Sequence, residues 1–304
     1  MRTSSLVRTL LFCPGDRGKA IAKALTIAAD VIVIDLEDAV HASEKVIARE
    51  QLCSFLSSLP PKSTRSYPKI VVRVNCPSTT SFGLADIASL VPHVPKLDGL
   101  CLPKVDSLQT LADANEQLFY GSPALASPEV PSIWAMVESC AGLQQVERIA
   151  HSPLVAGLVF GSNDMLKDLK ALPRDDRLPL LYAMSRTIAA ARVVGKQVVD
   201  GVYMNLADDG SGLRRDAQLG KSLGFDGKSL IHPRQVDIAN DVFSPSADEV
   251  RAAQGLVDAF SLARAEGKGV CVHEGRLVES LHVDQARELL GLHASILARL
   301  AHRQ

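Results

Sequence analysis

"DVIVIDLED", residues 30–38, decides the reading of the fold. After Asp30 it is an unbroken run of Val and Ile, and it closes on Asp35, Glu37 and Asp38. A non-alternating β-branched run describes a strand covered on both faces, as in parallel sheets packed under helices. Seven further runs share the pattern: "VRTLLFCPG" (7–15), "KIVVRVN" (69–75), "GLCLPKV" (99–105), "SIWAMVES" (132–139), "VAGLVFGSND" (155–164), "QVVDGVYMN" (197–205) and "FDGKSLIHP" (225–233). Helical stretches such as "GKAIAKALTIAA", "SEKVIAREQLCSFLSSL", "AGLQQVERIA" and "PLLYAMSRTIAAARVVG" lie between them. Eight strand-then-helix units predict an α/β protein of the (β/α)8 TIM barrel type, with an open doubly wound sheet as the alternative.

After "HPRQ" the pattern changes. Ser246 with Glu249 is a capping-box signature opening a helix, "KGVCVHEGRLVES" reads as a hairpin turning at Glu274-Gly275, and a final amphipathic helix follows. The expected organisation is a barrel over 1–240 carrying the active site. Residues 241–304 would form a C-terminal helical and hairpin extension that packs on a neighbouring subunit.

Composition narrows the classes. Of 304 residues 22 % are charged, with a formal net charge of −1, so no global field draws the chain to nucleic acid or an anionic membrane. Six cysteines form no CxxC pair and several sit in apolar runs, the pattern of reduced core thiols in a cytosolic protein. Eight histidines show no HxxxH or HExxH spacing, which argues against an imidazole metal site. The first apolar run reaches Pro14-Gly15 before it could serve as a signal segment, and no stretch approaches about 18 uninterrupted apolar residues. A soluble cytoplasmic protein is expected.

Barrel enzymes assemble their sites at the C-terminal ends of the strands. Taken in order, those ends carry "PGDRGK"; Glu37 and Asp38; Arg73 and Asn75; Lys104; Glu138; Gly161, Asn163 and Asp164; Asn205; and His232. Carboxylates from separate strands with no Cys or His beside them suit a hard divalent cation, and Mg²⁺ leaves coordination positions for water and substrate. Glu138 and Asp164, on adjacent strands, are the expected ligands; either acid taken alone could equally cap a helix. Arg73 lies on an apolar strand where an unpaired guanidinium is costly. It is expected to pair with Glu37 or another mouth acid, to clamp a substrate carboxylate with two prongs, or both. "PGDRGKAIAKA" places Arg17, Lys19 and Lys23 where a helix begins, which favours phosphate, although a solvated basic face has the same composition.

These motifs resemble one family closely, the citrate lyase β-subunit-like enzymes of the aldolase and citrate lyase superfamily, relatives of malyl-CoA and citramalyl-CoA lyases. The matching stretches are "LLFCPGDRGKAIAKAL", "ADVIVIDLEDAV", Lys45 with Ala48-Arg49, "VRVN", "LPKV", "MVESCAGLQQVERIA", "GLVFGSNDM", "DGVYMNLADDGSGLRRDAQLGKSLGFDGKSLIHPRQV" and "GKGV…EGRLVE". The resemblance implies Mg²⁺ on Glu138 and Asp164, with Mn²⁺ as a possible substitute, and Arg73 on an oxo-acid carboxylate. It further implies Arg17 and Lys23 on CoA phosphates, Gly161 and Asn163 in substrate or CoA binding, and Glu37 and Asp38 orienting the reacting groups. The implied partners are a small-molecule CoA thioester and an oxo acid, in a homo-oligomer of three or six chains. The implied reaction is reversible C–C cleavage of a β-hydroxyacyl-CoA such as citramalyl-, malyl- or citryl-CoA. Hydrolysis of such a thioester, or action on a carrier-protein thioester as the β subunit of a larger lyase, are the alternatives.

One departure stands out. Relatives with malyl-CoA activities read approximately "G-x-M-[IV]-D-x-P" at the C-terminal hairpin, with the Asp reaching a neighbouring subunit's site. Here "EGRLVESLHV" puts Glu279 at the Asp position and Leu281 at the Pro position. The carboxylate is kept but sits one methylene further out, which weighs against the thioesterase or synthase reaction.

Overall fold

Eight parallel strands pair in chain order and close on themselves: β1 (Thr9–Pro14), β2 (Val31–Asp35), β3 (Lys69–Arg73), β4 (Gly99–Leu102), β5 (Ser132–Val137), β6 (Val155–Phe160), β7 (Gln197–Asp200) and β8 (Gly227–Leu230). Thr9, Leu10 and Leu11 pair with Lys228, Ser229 and Leu230, which joins β8 back to β1 and excludes the open sheet. The structure, a computed structural model, describes residues 6–64, 68–120 and 131–301. The helices are α1 (Gly18–Ala24), α2 (Lys45–Ser58), α3 (Ser81–Leu90), α4 (Leu108–Tyr120), α5 (Cys140–Gln144), α6 (Val146–His151), α7 (Ser162–Asp168), α8 (Leu181–Val193), α9 (Ser211–Leu223) and α10 (Val236–Phe243).

The unbroken apolar runs have a direct cause. One buried cluster inside the barrel gathers Val7, Leu10, Val31, Val33, Val71, Cys101, Trp134, Met136, Val159 and Val199, with Phe12 against it. The alternate residues Ile32, Ile34, Ile70, Val72 and Leu158 are equally buried, and alternation turns them outward to the helices. Both faces are therefore apolar, each such side chain contributing about 1.5–3 kcal/mol by burial. Trp134 fills the middle of the barrel, and a Cβ on Gly157 would stand 2.5 Å from its ring.

The strands stop earlier than the runs suggest. β6 ends at Phe160 and α7 starts at Ser162, so Asn163 and Asp164 lie in the first turn of a helix. "AGLQQVERIA" is two short helices, α5 and α6, parted at Gln145, whose φ of −106° and ψ of 2° leave the helical region.

Two compact units partition the described residues, Val7–Asn240 in one and Leu6 with those from Asp241 onward in the other. In the second, the Ser246 hydroxyl accepts from the Glu249 N–H at 3.1 Å and the Glu249 carboxylate accepts from the Ser246 N–H at 2.7 Å. This capping box starts α11 (Ala247–Ala265). β9 (Cys271–His273) and β10 (Arg276–Val278) form the expected hairpin, with Glu274 at φ 50° and Gly275 at φ 75° in the turn. α12 (Ser280–Ala301) completes the unit, whose core joins Phe260, Val278 and Val283. No described helix is long and apolar enough to cross a membrane.

Candidate active site

Continuing the inward-facing series of β2, β3, β5 and β6 by two residues leads to Asp35, Arg73, Glu138 and Gly161 at the C-terminal end of the barrel. Asp35 and Arg73 are register partners on β2 and β3. Arg73 donates from Nε to Asp35 Oδ1 at 2.7 Å and from Nη2 to Oδ2 at 2.6 Å. The same carboxylate accepts the N–H groups of Glu37 at 2.9 Å and Ala39 at 3.1 Å. Asp35 is thus saturated, and it is the residue that turns the chain out of β2.

This arrangement corrects one sequence expectation. The side-on fork of Arg73 grips Asp35, so a substrate carboxylate does not meet it there. Only the end of the guanidinium remains, where Nη1 lies 3.0 Å from Glu37 Oε2 and 3.5 Å from Asp38 Oδ2. Phe12 covers one face of the group at 5.1 Å. Burial opposes the charge on Arg73, but Asp35, Glu37 and Asp38 outweigh it and hold the guanidinium protonated.

Lys104 joins the remaining acids. Its N–H donates to Glu138 Oε1 at 2.7 Å, and its Nζ donates to Glu37 Oε1. Glu37 is held between two cations, yet burial still raises its pKa against Arg73 and Lys104. The side chain of Lys104 stays protonated because the hydrogen bond and attraction of Glu37 overcome the cost of burial.

Glu138 is 3 % exposed. Burial, then the negative charge of Glu37, pushes its carboxyl up to about 7, against the opposing effects of Arg73 and the Lys104 N–H. A Cβ on Gly161 would overlap Glu138 Cβ and Oε2, so glycine here gives the carboxylate room. The backbone at Gly161, φ −98°, is open to any residue; close approach is the reason for glycine.

This geometry fits a hard cation. Glu138 is a buried acid whose charge is poorly compensated by protein, and half-buried Asp164 is near enough to raise its pKa further. Among the described residues no three acidic, imidazole or thiol groups cage a metal. Two carboxylates with water and substrate oxygens is the usual environment of Mg²⁺. Asn163, beside Asp164, is exposed.

A buried scaffold supports the acidic segment. Lys45 Nζ donates to the carbonyls of Leu36 at 3.0 Å and Glu37 at 2.9 Å. Arg49 Nε donates to Asp86 at 2.7 Å; Asp86 in turn accepts from the Asn75 amide, which also donates to the Leu36 carbonyl. Lys45, Arg49 and Asn75 therefore position the loop.

The other expected residues belong to α1 and to the second unit. Arg17 is exposed at the N-cap of α1, 3.9 Å from Asp16. Lys23 is in the last turn of that seven-residue helix, so the two do not share a helix start as the sequence suggested. Glu279 is in the second unit between β10 and α12, its N–H donating to His282 Nδ1 at 3.0 Å.

Sequence reasoning missed three features. Asp35 was visible as an acid but not as the partner of Arg73, which depends on strand register. Lys104 takes a positive φ of 50°, which nothing in "LPKV" announces. Third, an ion cluster lies outside the barrel wall. Asp200 accepts from Arg177 Nη1 at 2.7 Å, from Arg177 Nη2 at 2.5 Å and from Lys228 Nζ at 3.0 Å, while Asp216 reaches Lys228 at 2.5 Å. The available signal was an Asp and a Lys at outward positions of "QVVD" and "GKSL".

Barrel and mouth together define a class: a (β/α)8 protein with an acid-rich site at the C-terminal strand ends. The model of the HpcH/HpaI aldolase/citrate lyase family matches residues 8–233, and the chain belongs to that family of enzymes. It is 40 % identical over 296 residues, 96 % of each chain, to a (3S)-malyl-CoA thioesterase of Cereibacter sphaeroides. It is 33 % identical to the citrate lyase subunit beta of Haemophilus influenzae, covering 94 % of this chain and 96 % of that one. Among solved structures it superposes on protein CitE of Mycobacterium tuberculosis in complex with magnesium, acetoacetate and coenzyme A. That TM-score is 0.77, with 26 % identity and coverage of 96 % and 99 %.

Proposed function

We propose that the protein is a Mg²⁺-dependent C–C lyase that cleaves a β-hydroxyacyl-CoA of the citramalyl, malyl or citryl type into an acyl-CoA and an oxo acid. The observation that carries this reading is Glu138, a buried carboxylate near neutrality with one oxygen over Gly161 and Asp164 close by. Those two acids would hold the cation, Mn²⁺ serving as a substitute. When bound, Mg²⁺ would lower the pKa of the substrate hydroxyl and polarise the carbonyl of the departing oxo acid.

The chain's own groups divide the remaining tasks. The outer end of Arg73, which it shares with Glu37 and Asp38, orients the oxo-acid carboxylate, and Asp35 holds the guanidinium still. Glu37, gripped by Arg73 and Lys104, aligns those cations. Asp38, exposed and 3.5 Å from Arg73, is the acid able to exchange protons with the opening. Gly161 and Asn163 border the bound ester, and Arg17 and Lys23 meet its CoA phosphates. In this reading the enzyme is a cytoplasmic homo-oligomer of three or six chains, and its extension carries Glu279 to a neighbouring subunit.

Hydrolysis is the second reading, favoured by the 40 % identity to a (3S)-malyl-CoA thioesterase. Incubation of the purified chain with (S)-citramalyl-CoA, malyl-CoA and citryl-CoA separates the two. Oxo acid with intact acyl-CoA supports the lyase; free CoA without oxo acid overturns it. Inactivity on all three, with a carrier protein co-purifying, would identify a β subunit acting on a carrier-bound thioester. Full activity in excess chelator would remove the metal.

A further inference from the structure

We infer that the Lys104 ammonium is a catalytic group, the hydrogen-bond donor that meets the anionic oxygen forming on the acyl-CoA half of the substrate; this rests on the lyase reading above. Arg73 cannot serve there. It is buried, with Nε and Nη2 on Asp35 and Nη1 on Glu37. The Lys104 side chain is 34 % exposed and its Nζ has one described partner, Glu37, which leaves ammonium hydrogens for a ligand.

The backbone supports the same assignment. Lys104 adopts φ 50°, a left-handed conformation costly for a residue with a Cβ, at the C-terminal end of β4 where the other mouth residues stand. From that turn its N–H meets Glu138, the acid that would hold the cation, while its Nζ meets Glu37 in the same mouth.

The chemistry asks for such a donor. As the C–C bond breaks, its electron pair passes to the carbon next to the thioester and is shared with the thioester oxygen. The hydroxyl proton goes to a mouth carboxylate, the hydroxyl carbon becomes the oxo-acid carbonyl, and the acyl carbon afterwards takes a proton. Lys104 donates a hydrogen bond to the thioester oxygen in that interval and keeps its own proton. A donor aimed at developing charge contributes about 10²–10³ to kcat.

The test uses the full chain and the CoA ester it cleaves, comparing wild type with Lys104→Met, Lys104→Asn and Lys104→Arg. Asn tolerates positive φ, so that variant keeps the turn and guards against misfolding. Removing the ammonium should lower kcat about 100- to 1,000-fold, with Arg recovering at least about tenfold over Met. The Mg²⁺ dissociation constant, read by calorimetry, should stay within about threefold, because Glu138 is held by a backbone N–H that every variant keeps. Retention of kcat by Lys104→Met, or loss of Mg²⁺ affinity in step with kcat in both Met and Asn variants, overturns the inference; the second outcome makes Lys104 a positioning residue. A wild type inactive on every ester overturns the lyase reading and this inference with it. Active wild type with unimpaired variants overturns this inference alone.

Discussion

Glu138 shows how one residue's environment becomes a measurable property. Its folded pKa of about 7 lies above the ordinary value of 4.5, so the folded chain favours the protonated form. That contribution is fully present below about pH 4.5 and is lost as pH rises through 7, a swing of about 3 kcal/mol. In chelator, the melting temperature of wild type should therefore fall relative to Glu138→Gln between about pH 5 and 8, and Mg²⁺ should close the gap. A difference that does not vary with pH would contradict this. Binding of Mg²⁺ needs the carboxylate, so its dissociation constant should rise about tenfold per pH unit below 7. Asp35→Ala strands the buried fork of Arg73 and should cost about 3–5 kcal/mol in urea unfolding. Asp35 could be read from "VIVIDLED" and Glu138 from "SIWAMVES", but the side-on pairing of Asp35 and Arg73 could not, because it depends on the register between β2 and β3.

At the scale of elements, the junction of β6 and α7 and the wall formed by β7, β8 and α9 are the instructive places. Gly161→Ala adds one methyl where Glu138 lies, so kcat/KM should fall at least about tenfold while stability changes by about 1–3 kcal/mol. Unchanged kcat/KM would mean that the carboxylate can move aside without loss. In the wall, Asp200 and Lys228 are register partners and fully buried. Asp200→Ala leaves Arg177 and Lys228 without their shared acid and should cost at least about 3 kcal/mol in chemical denaturation. Lys228→Met should cost less, because Arg177 still forks Asp200. Strand existence was legible from apolar runs, whereas the ends of β2, β3 and β5 were not: there the polar mouth residues follow the run with no Gly or Pro between, and only the hydrogen-bonded ladder shows where pairing stops.

For the whole molecule, a homo-oligomer predicts a light-scattering mass about three or six times the 32.5 kDa of one chain, and a single-chain mass would remove that proposal. By itself the sequence determined the barrel, through eight doubly apolar runs separated by helices, and it determined which acids stand at the strand ends. Those are consequences of local pattern, since period and composition act over a few residues. Only the tertiary structure decided which charge meets which. Arg73 turns to Asp35, Lys104 joins Glu37 to Glu138, and Gly161 makes way for a carboxylate, because strand register and a positive φ bring together residues 23 to 67 positions apart. The acids that close "DVIVIDLED" thus acquire separate duties: Asp35 locks an arginine, Glu37 aligns two cations, and Asp38 faces the opening.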